Sequence, residues 1–178
     1  MEFKNKGLDI LEQCRRATRV NVGKPTPEPT KLEAQARLWE DPRTTRFVNA
    51  LAKFARMPGY IYVASPYTKY PEGLDKAHEH VCLLTAELVK GGMSVYSPIA
   101  HSHPVAIHGG IDPKDHSLWM AQCRAMMEAA TACIVLTMDG WQDSKGVQME
   151  IKYFDEADKP LLMVDPKLLM GGHVPFVS

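Results

Sequence analysis

The chain has 178 residues, enough for one domain of ordinary size plus an appendage. Apolar residues make up 45 %, which excludes a disordered chain. Lys+Arg and Asp+Glu both count 21, which excludes a global field for nucleic acid or an anionic membrane. The charge is unevenly placed, since residues 1–57 hold 12 basic against 7 acidic side chains and residues 58–178 hold 9 against 14. Nucleic acid is therefore expected only through the basic first segment, which could equally dock on an acidic body. Cys14, Cys82, Cys123 and Cys133 form no C-x-x-C pair and are expected as reduced core thiols. No apolar run approaches membrane-spanning length and no signal-peptide core follows Met1, so a cytoplasmic protein without a membrane partner is expected.

In chain order, residues 7–19 form a helix with Leu8, Leu11 and Cys14 on a narrow apolar face. Three prolines in residues 23–30 make an extended linker. A second helix spans 31–40 and stops at Asp41-Pro42. A third covers 44–56, with Phe47, Leu51 and Phe54 aligned. These pieces form a basic helical extension, residues 1–57, followed by an α/β domain, residues 58–178. In that domain Tyr60–Ala64 is a buried strand and Leu74–Lys90 a helix with Ala77, Val81, Leu84 and Leu88 inward. Gly91-Gly92 ends that helix. Ser94–Ser97 is a second strand, and the His-, Gly- and Pro-rich stretch 98–114 is expected as a long loop. A helix over 115–130, an apolar strand over 132–138, a helix over 144–157 and a strand over 161–164 complete it. The βαβα order implies a flavodoxin- or Rossmann-like open parallel sheet with helices on both faces. Its ligand crevice lies outside the carboxyl ends of the strands, where Ser65-Pro66-Tyr67, residues 98–103 and residues 139–144 converge.

The segment from Asp139 to Glu150 carries the strongest chemistry. Ser144 stands where a helix N-cap belongs, and Gly146 lets a ligand approach the first turn. Free N–H groups there suit an anion. Glu150 follows six residues later, where a carboxylate could attack a sugar's anomeric carbon. A capped helix with a solvated Glu150 has the same spacing. His101 and His103 fall in the 98–114 stretch and could contact a base or move its proton, or be packing histidines. They complete no zinc set, so no metal is expected. Tyr67, Tyr96, Trp119 and Trp141 could stack on a base, with Trp141 favoured by its place between turn residues, whereas Tyr62 belongs to the core. No Walker A loop, G-x-G-x-x-G or G-x-S-x-G occurs, so neither an NTPase nor a dinucleotide cofactor is expected.

Tyr62-Val-Ala-Ser-Pro-Tyr67, Gly92-Met-Ser-Val-Tyr-Ser-Pro98 and Gly140-Trp-x-x-Ser144-x-Gly146-x-x-x-Glu150 resemble motifs of the nucleoside 2-deoxyribosyltransferase superfamily. The resemblance covers residues 60–166 and leans toward its small phage and bacterial branches and the 2′-deoxynucleoside 5′-monophosphate N-glycosidases. It implies that Ser65 and Tyr67 touch sugar and phosphate, that Glu150 is the nucleophile, and that Tyr67 stands with it among the catalytic residues. It also implies a serine at 144 where transferases acting on free nucleosides carry an aspartate. A serine at a helix N-terminus welcomes a phosphate that an aspartate would repel. The resemblance departs at the acid assisting base departure, whose slot holds Gln122-Cys123, and at Thr131. Asp115 is assigned in the acid's place, with Asp112 as an alternative. The expected function is hydrolysis or transfer at the N-glycosidic bond of a (deoxy)nucleoside 5′-monophosphate, by a homo-oligomer with shared sites. The alternatives are a nucleotide sensor or sequestering protein using the same crevice, and an interaction protein working through residues 1–57.

Overall fold

The computed structural model describes residues 42–170. The helices expected over 7–19 and 31–40, the linker between them and Cys14 lie outside the described residues. The sheet belongs to a compact unit that begins at Phe47. Its elements are α1 (Pro42–Ala55), β1 (Ile61–Ala64), α2 (Leu74–Lys90), β2 (Val95–Tyr96), α3 (Pro98–Gly109), α4 (His116–Ala129), β3 (Ala132–Leu136), α5 (Lys145–Glu156), β4 (Leu161–Val164) and α6 (Pro166–Met170). The four strands run in the order β2-β1-β3-β4 and every pair is parallel. This is an α/β fold of the flavodoxin- or Rossmann-like kind. No described helix is long and apolar enough to cross a membrane.

Period-two alternation along the inner strands sorts the core into two layers. Ile61, Val63, Ile134 and Leu136 face one side and pack with Phe47, Leu51 and Phe54 of α1 and with the inward stripe of α2. Tyr62, Ala64, Cys133 and Val135 face the other, against Met127 of α4 and Val147 and Phe154 of α5. That α2 stripe is Ala77, Val81, Leu84 and Leu88, the face its helical spacing predicts. The end of α4 is capped from a distance. Lys159 Nζ donates to the carbonyls of Met127, Glu128 and Ala130 at 2.9, 2.6 and 2.7 Å. An ammonium placed there meets the negative end of the helix dipole.

The stretch expected as a loop over 98–114 is mostly α3, a correction with a local cause. Ser97 caps the helix, its Oγ accepting from Ala100 N at 3.3 Å, and Pro98 sits at the first position, where no N–H is needed. Gly110 ends it in the left-handed region at φ 65°. Pro104 inside the helix removes one backbone donor, and with four glycine and proline residues nearby it masks the helical pattern.

With β1 joined to β2 on one side and to β3 on the other, the chain changes direction between β1 and β3. The loops after those strands, residues 65–73 and 137–144, therefore meet at the carboxyl edge of the sheet. Gly140 lets them meet. It adopts φ +81°, and a Cβ there would lie 2.2 Å from the Lys69 carbonyl oxygen.

Candidate active site

A crevice of about 460 Å³ opens at this edge, between β1, α3, α4 and the start of α5. Glu150 lies in it. Val147, Glu150 and Phe154 form the buried face of α5, so the carboxylate occupies a position that the helix period reserves for an apolar side chain. Only 6 % of Glu150 is exposed. Tyr62 Oη on β1 donates to Glu150 Oε1 at 2.6 Å. Burial pushes the Glu150 carboxyl up to about 7, and the Tyr62 hydrogen bond holds it from rising further. Burial and the neighbouring Glu150 charge keep the Tyr62 phenol protonated, so it acts as a donor. Cys123 lines the same crevice and interacts with both groups, and burial raises its thiol too.

Ser144 caps α5, its Oγ accepting from Val147 N at 3.4 Å. That leaves the hydroxyl proton free for a ligand. Gly146 also borders the crevice, and a Cβ there would meet only Ser144 Oγ, 3.9 Å away. The glycine therefore leaves the first turn of α5 open without being demanded by the fold. Ser65 is 7 % exposed and its Oγ has no hydrogen-bond partner. A buried hydroxyl left unpaired costs about 1–3 kcal/mol, which a ligand at this wall would recover. Lys69, Lys114 and Lys145 border the crevice with His116, and Glu150 is the one carboxylate among the described lining residues. Pro98, Ile99, Trp119 and Met120 supply an apolar wall. The site can thus hold an anion at the α5 N-terminus and a flat apolar group on that wall, with a desolvated carboxylate between.

The expected site residues divide. Glu150, Ser65, Tyr67, Ser144 and Gly146 are brought together, and Trp119 joins them. Pro66 is buried beside them without lining the crevice. Trp141 packs partly buried against the layer under α5, and its carbonyl accepts from Gln148 Nε2 at 3.1 Å. Asp139 faces a separate cavity of about 420 Å³ with Tyr70, His80 and Asp165. His101 lies on the exposed side of α3 near Tyr96 and Gln122. His103 turns inward from α3 toward Tyr67 and α2. Asp115 is not in the crevice. It caps α4, accepting from Ser117 Oγ at 2.7 Å and Leu118 N at 3.1 Å, and those bonds hold its carboxyl below the usual range. Such a group stays ionised and is a poor proton donor. Tyr62 is expected in the core and Cys123 in the slot of the missing acid, so neither carries a site role in the sequence, and the three lysines are not singled out there. Among the described residues no group of three His, Cys, Asp or Glu side chains could hold a metal ion.

Fold and site together define an α/β protein of the open parallel type, with a buried carboxylate at the point where the strand order reverses. The chain belongs to the family described as domain of unknown function DUF1937, whose model matches residues 59–165. No curated protein matches the chain.

Proposed function

We propose that this protein cleaves the N-glycosidic bond of a nucleoside 5′-monophosphate, with Glu150 as the nucleophile. The DUF1937 family is associated with nucleoside 2-deoxyribosyltransferase-like proteins, which agrees with the motifs ending at Ser144 and Glu150. The observation that carries the reading is the buried Glu150–Tyr62 pair beneath the open N-terminus of α5. The phosphate sits against the Ser144 hydroxyl and the first N–H groups of α5, within reach of the rim lysines. The sugar lies over Glu150, with a hydroxyl on Ser65 Oγ. The base rests on Trp119, Met120 and Ile99.

In the first step Glu150 attacks C1′, the C1′–N bond breaks, and its electron pair leaves with the base. Desolvation makes the ionised carboxylate a stronger nucleophile than it would be in water, and Tyr62 fixes its orientation. A glycosyl ester on Glu150 results. Water completes hydrolysis, or a second base completes transfer.

Incubation with the 2′-deoxy- and ribonucleoside 5′-monophosphates, followed by chromatography for free base, tests this. Base release that falls at least about 10³-fold in Glu150→Gln supports it. No release, or release that survives the substitution, overturns it.

A second reading is binding without turnover. It is favoured by the lack of a second carboxylate among the described residues of the crevice. Under it a nucleotide binds by calorimetry and is recovered intact.

A further inference from the structure

Tyr67 borders the crevice with Glu150 but turns to a partner outside it. Its hydroxyl lies 2.7 Å from His103 Nδ1, and both residues are buried. On the far side of the ring, His103 Nε2 lies 3.5 Å from Asp75 Oδ1. The Asp75 side chain is 93 % exposed. His78 stacks on His103 with ring centroids 4.2 Å apart and planes 13° from parallel. These contacts favour one tautomer of His103. A carboxylate only accepts, so the 3.5 Å approach of Asp75 favours a neutral His103 with its hydrogen on Nε2. Nδ1 is then bare and accepts from the Tyr67 hydroxyl. Burial and the stacked His78 favour this neutral form and outweigh the opposing pull of Asp75. The result is a hydroxyl, imidazole and carboxylate in series, running from the crevice to solvent through three separate elements, the β1 loop, α3 and α2.

We propose that Tyr67, His103 and Asp75 form a relay that withdraws the proton from the water that hydrolyses the glycosyl ester on Glu150. This rests on the glycosidic reading of the site and extends it to the second half of the reaction. Tyr67 touches the water. His103 and Asp75 act through it. As the water oxygen bonds to C1′, the C1′–O bond to Glu150 breaks and its electron pair returns to the carboxylate. The water proton passes to the Tyr67 oxygen, and the Tyr67 proton passes to His103 Nδ1. The imidazolium so formed is met by the Asp75 charge, and the extra proton leaves to solvent on that exposed side. The resting relay is set to accept a proton and not to supply one, so it assigns no help to the departing base. Series of this kind depend on the third member for orientation and charge, as in hydroxyl–histidine–aspartate triads.

The test separates the two half-reactions in the full-length chain, using whichever nucleoside 5′-monophosphate the parent cleaves best. Rapid mixing of His103→Gln and of Tyr67→Phe should give a burst of free base close to one per site, followed by turnover slowed about 10²-fold. Intact-mass measurement should then show the enzyme heavier by one sugar phosphate. Asp75→Asn, a change at an exposed side chain, should slow the second phase about tenfold with the burst retained. A purely structural role for the cluster predicts instead that burst and turnover fall together and that no adduct accumulates, and that result overturns the relay. If the parent releases base and Glu150→Gln does not, the glycosidic reading survives such a failure. If the parent releases no base from any nucleotide, both fall.

Discussion

Tyr62 and Glu150 lie 88 residues apart in the chain and share a 2.6 Å hydrogen bond in the interior, where Tyr62 is wholly buried and Glu150 nearly so. β1 delivers one and α5 the other, on the face of the sheet that packs Val147 and Phe154. A lone carboxylate in such a layer destabilises its own ionised form. The phenol relieves part of that cost and fixes the direction in which the second carboxylate oxygen points.

The cost has a sign that can be measured. Burial moves the Glu150 carboxyl from 4.5 to about 7. Below the unfolded value both states hold the proton, and the contribution to stability is fully present. Between the two values the unfolded chain ionises first, so stability falls as pH rises to the folded value and levels off above it. The total loss is about 3 kcal/mol. Glu150→Gln keeps the shape and the Tyr62 contact without a charge. Between about pH 5 and pH 8 its stability should rise steadily relative to the parent's, since the other titrating groups are common to both, and it should exceed the parent at the alkaline end. Urea unfolding at both pH values checks this, and parallel slopes for the two proteins would contradict it.

Tyr62→Phe removes the group that opposes burial at Glu150. The carboxyl then rises further, and less of it is ionised at neutral pH. The rising limb of the pH–rate profile for base release should move toward alkaline pH, and activity near pH 7 should drop about fivefold for the first unit of that movement and about tenfold for each further unit. Much of the loss should return at high pH. An unmoved limb with a uniformly lower rate would assign Tyr62 to packing alone.

Tyr62 also marks where sequence reasoning stopped. A tyrosine in a four-residue buried strand has the pattern of a core aromatic, and its pairing with Glu150 depends on strand order, which no local spacing encodes. The strands and α2 were legible because their periods are clean, as in Ala77, Val81, Leu84 and Leu88. Ser144 and Gly146 were legible because capping chemistry is local. α3 was not, because Pro104 and the histidines imitate a loop. That difference relocates His103. On a loop it could reach a base, whereas helical spacing turns it away from Ser102 and the crevice, toward Tyr67 and α2. Asp115 stands in for the family's missing acid on the resemblance alone, while its position just before α4 makes it a helix cap.

The two small residues at the start of α5 should separate binding from stability. Ser144→Ala removes the cap and should cost about 1 kcal/mol. It should also weaken a nucleoside 5′-monophosphate more than the free nucleoside, because only the former places charge at the helix N-terminus. Gly146→Ala meets only Ser144 Oγ at 3.9 Å and improves helix propensity by about 1 kcal/mol. It should raise Tm while weakening the same nucleotide, since its methyl group enters the open turn. Calorimetry with the matched nucleoside and nucleotide reads both effects. Equal losses for the two ligands would move the phosphate elsewhere.

Gly140 ties the two loops that build the crevice. An alanine there would need φ near +81° and would bring its Cβ 2.2 Å from the Lys69 carbonyl oxygen and 2.8 Å from the carbonyl carbon. Backbone atoms cannot swing aside as a flexible side chain does, so the loops over 65–73 and 137–144 must part. Left-handed strain and overpacking together should cost about 2–4 kcal/mol. The damage should be local before it is global, because β3 and β4 keep their pairing and their buried residues. Hydrogen exchange should therefore speed up in both loops while the amides of β3 stay protected, and base release should fall at temperatures where the protein remains folded. Faster exchange spread evenly over the sheet would instead make Gly140 a requirement of folding and not of the site.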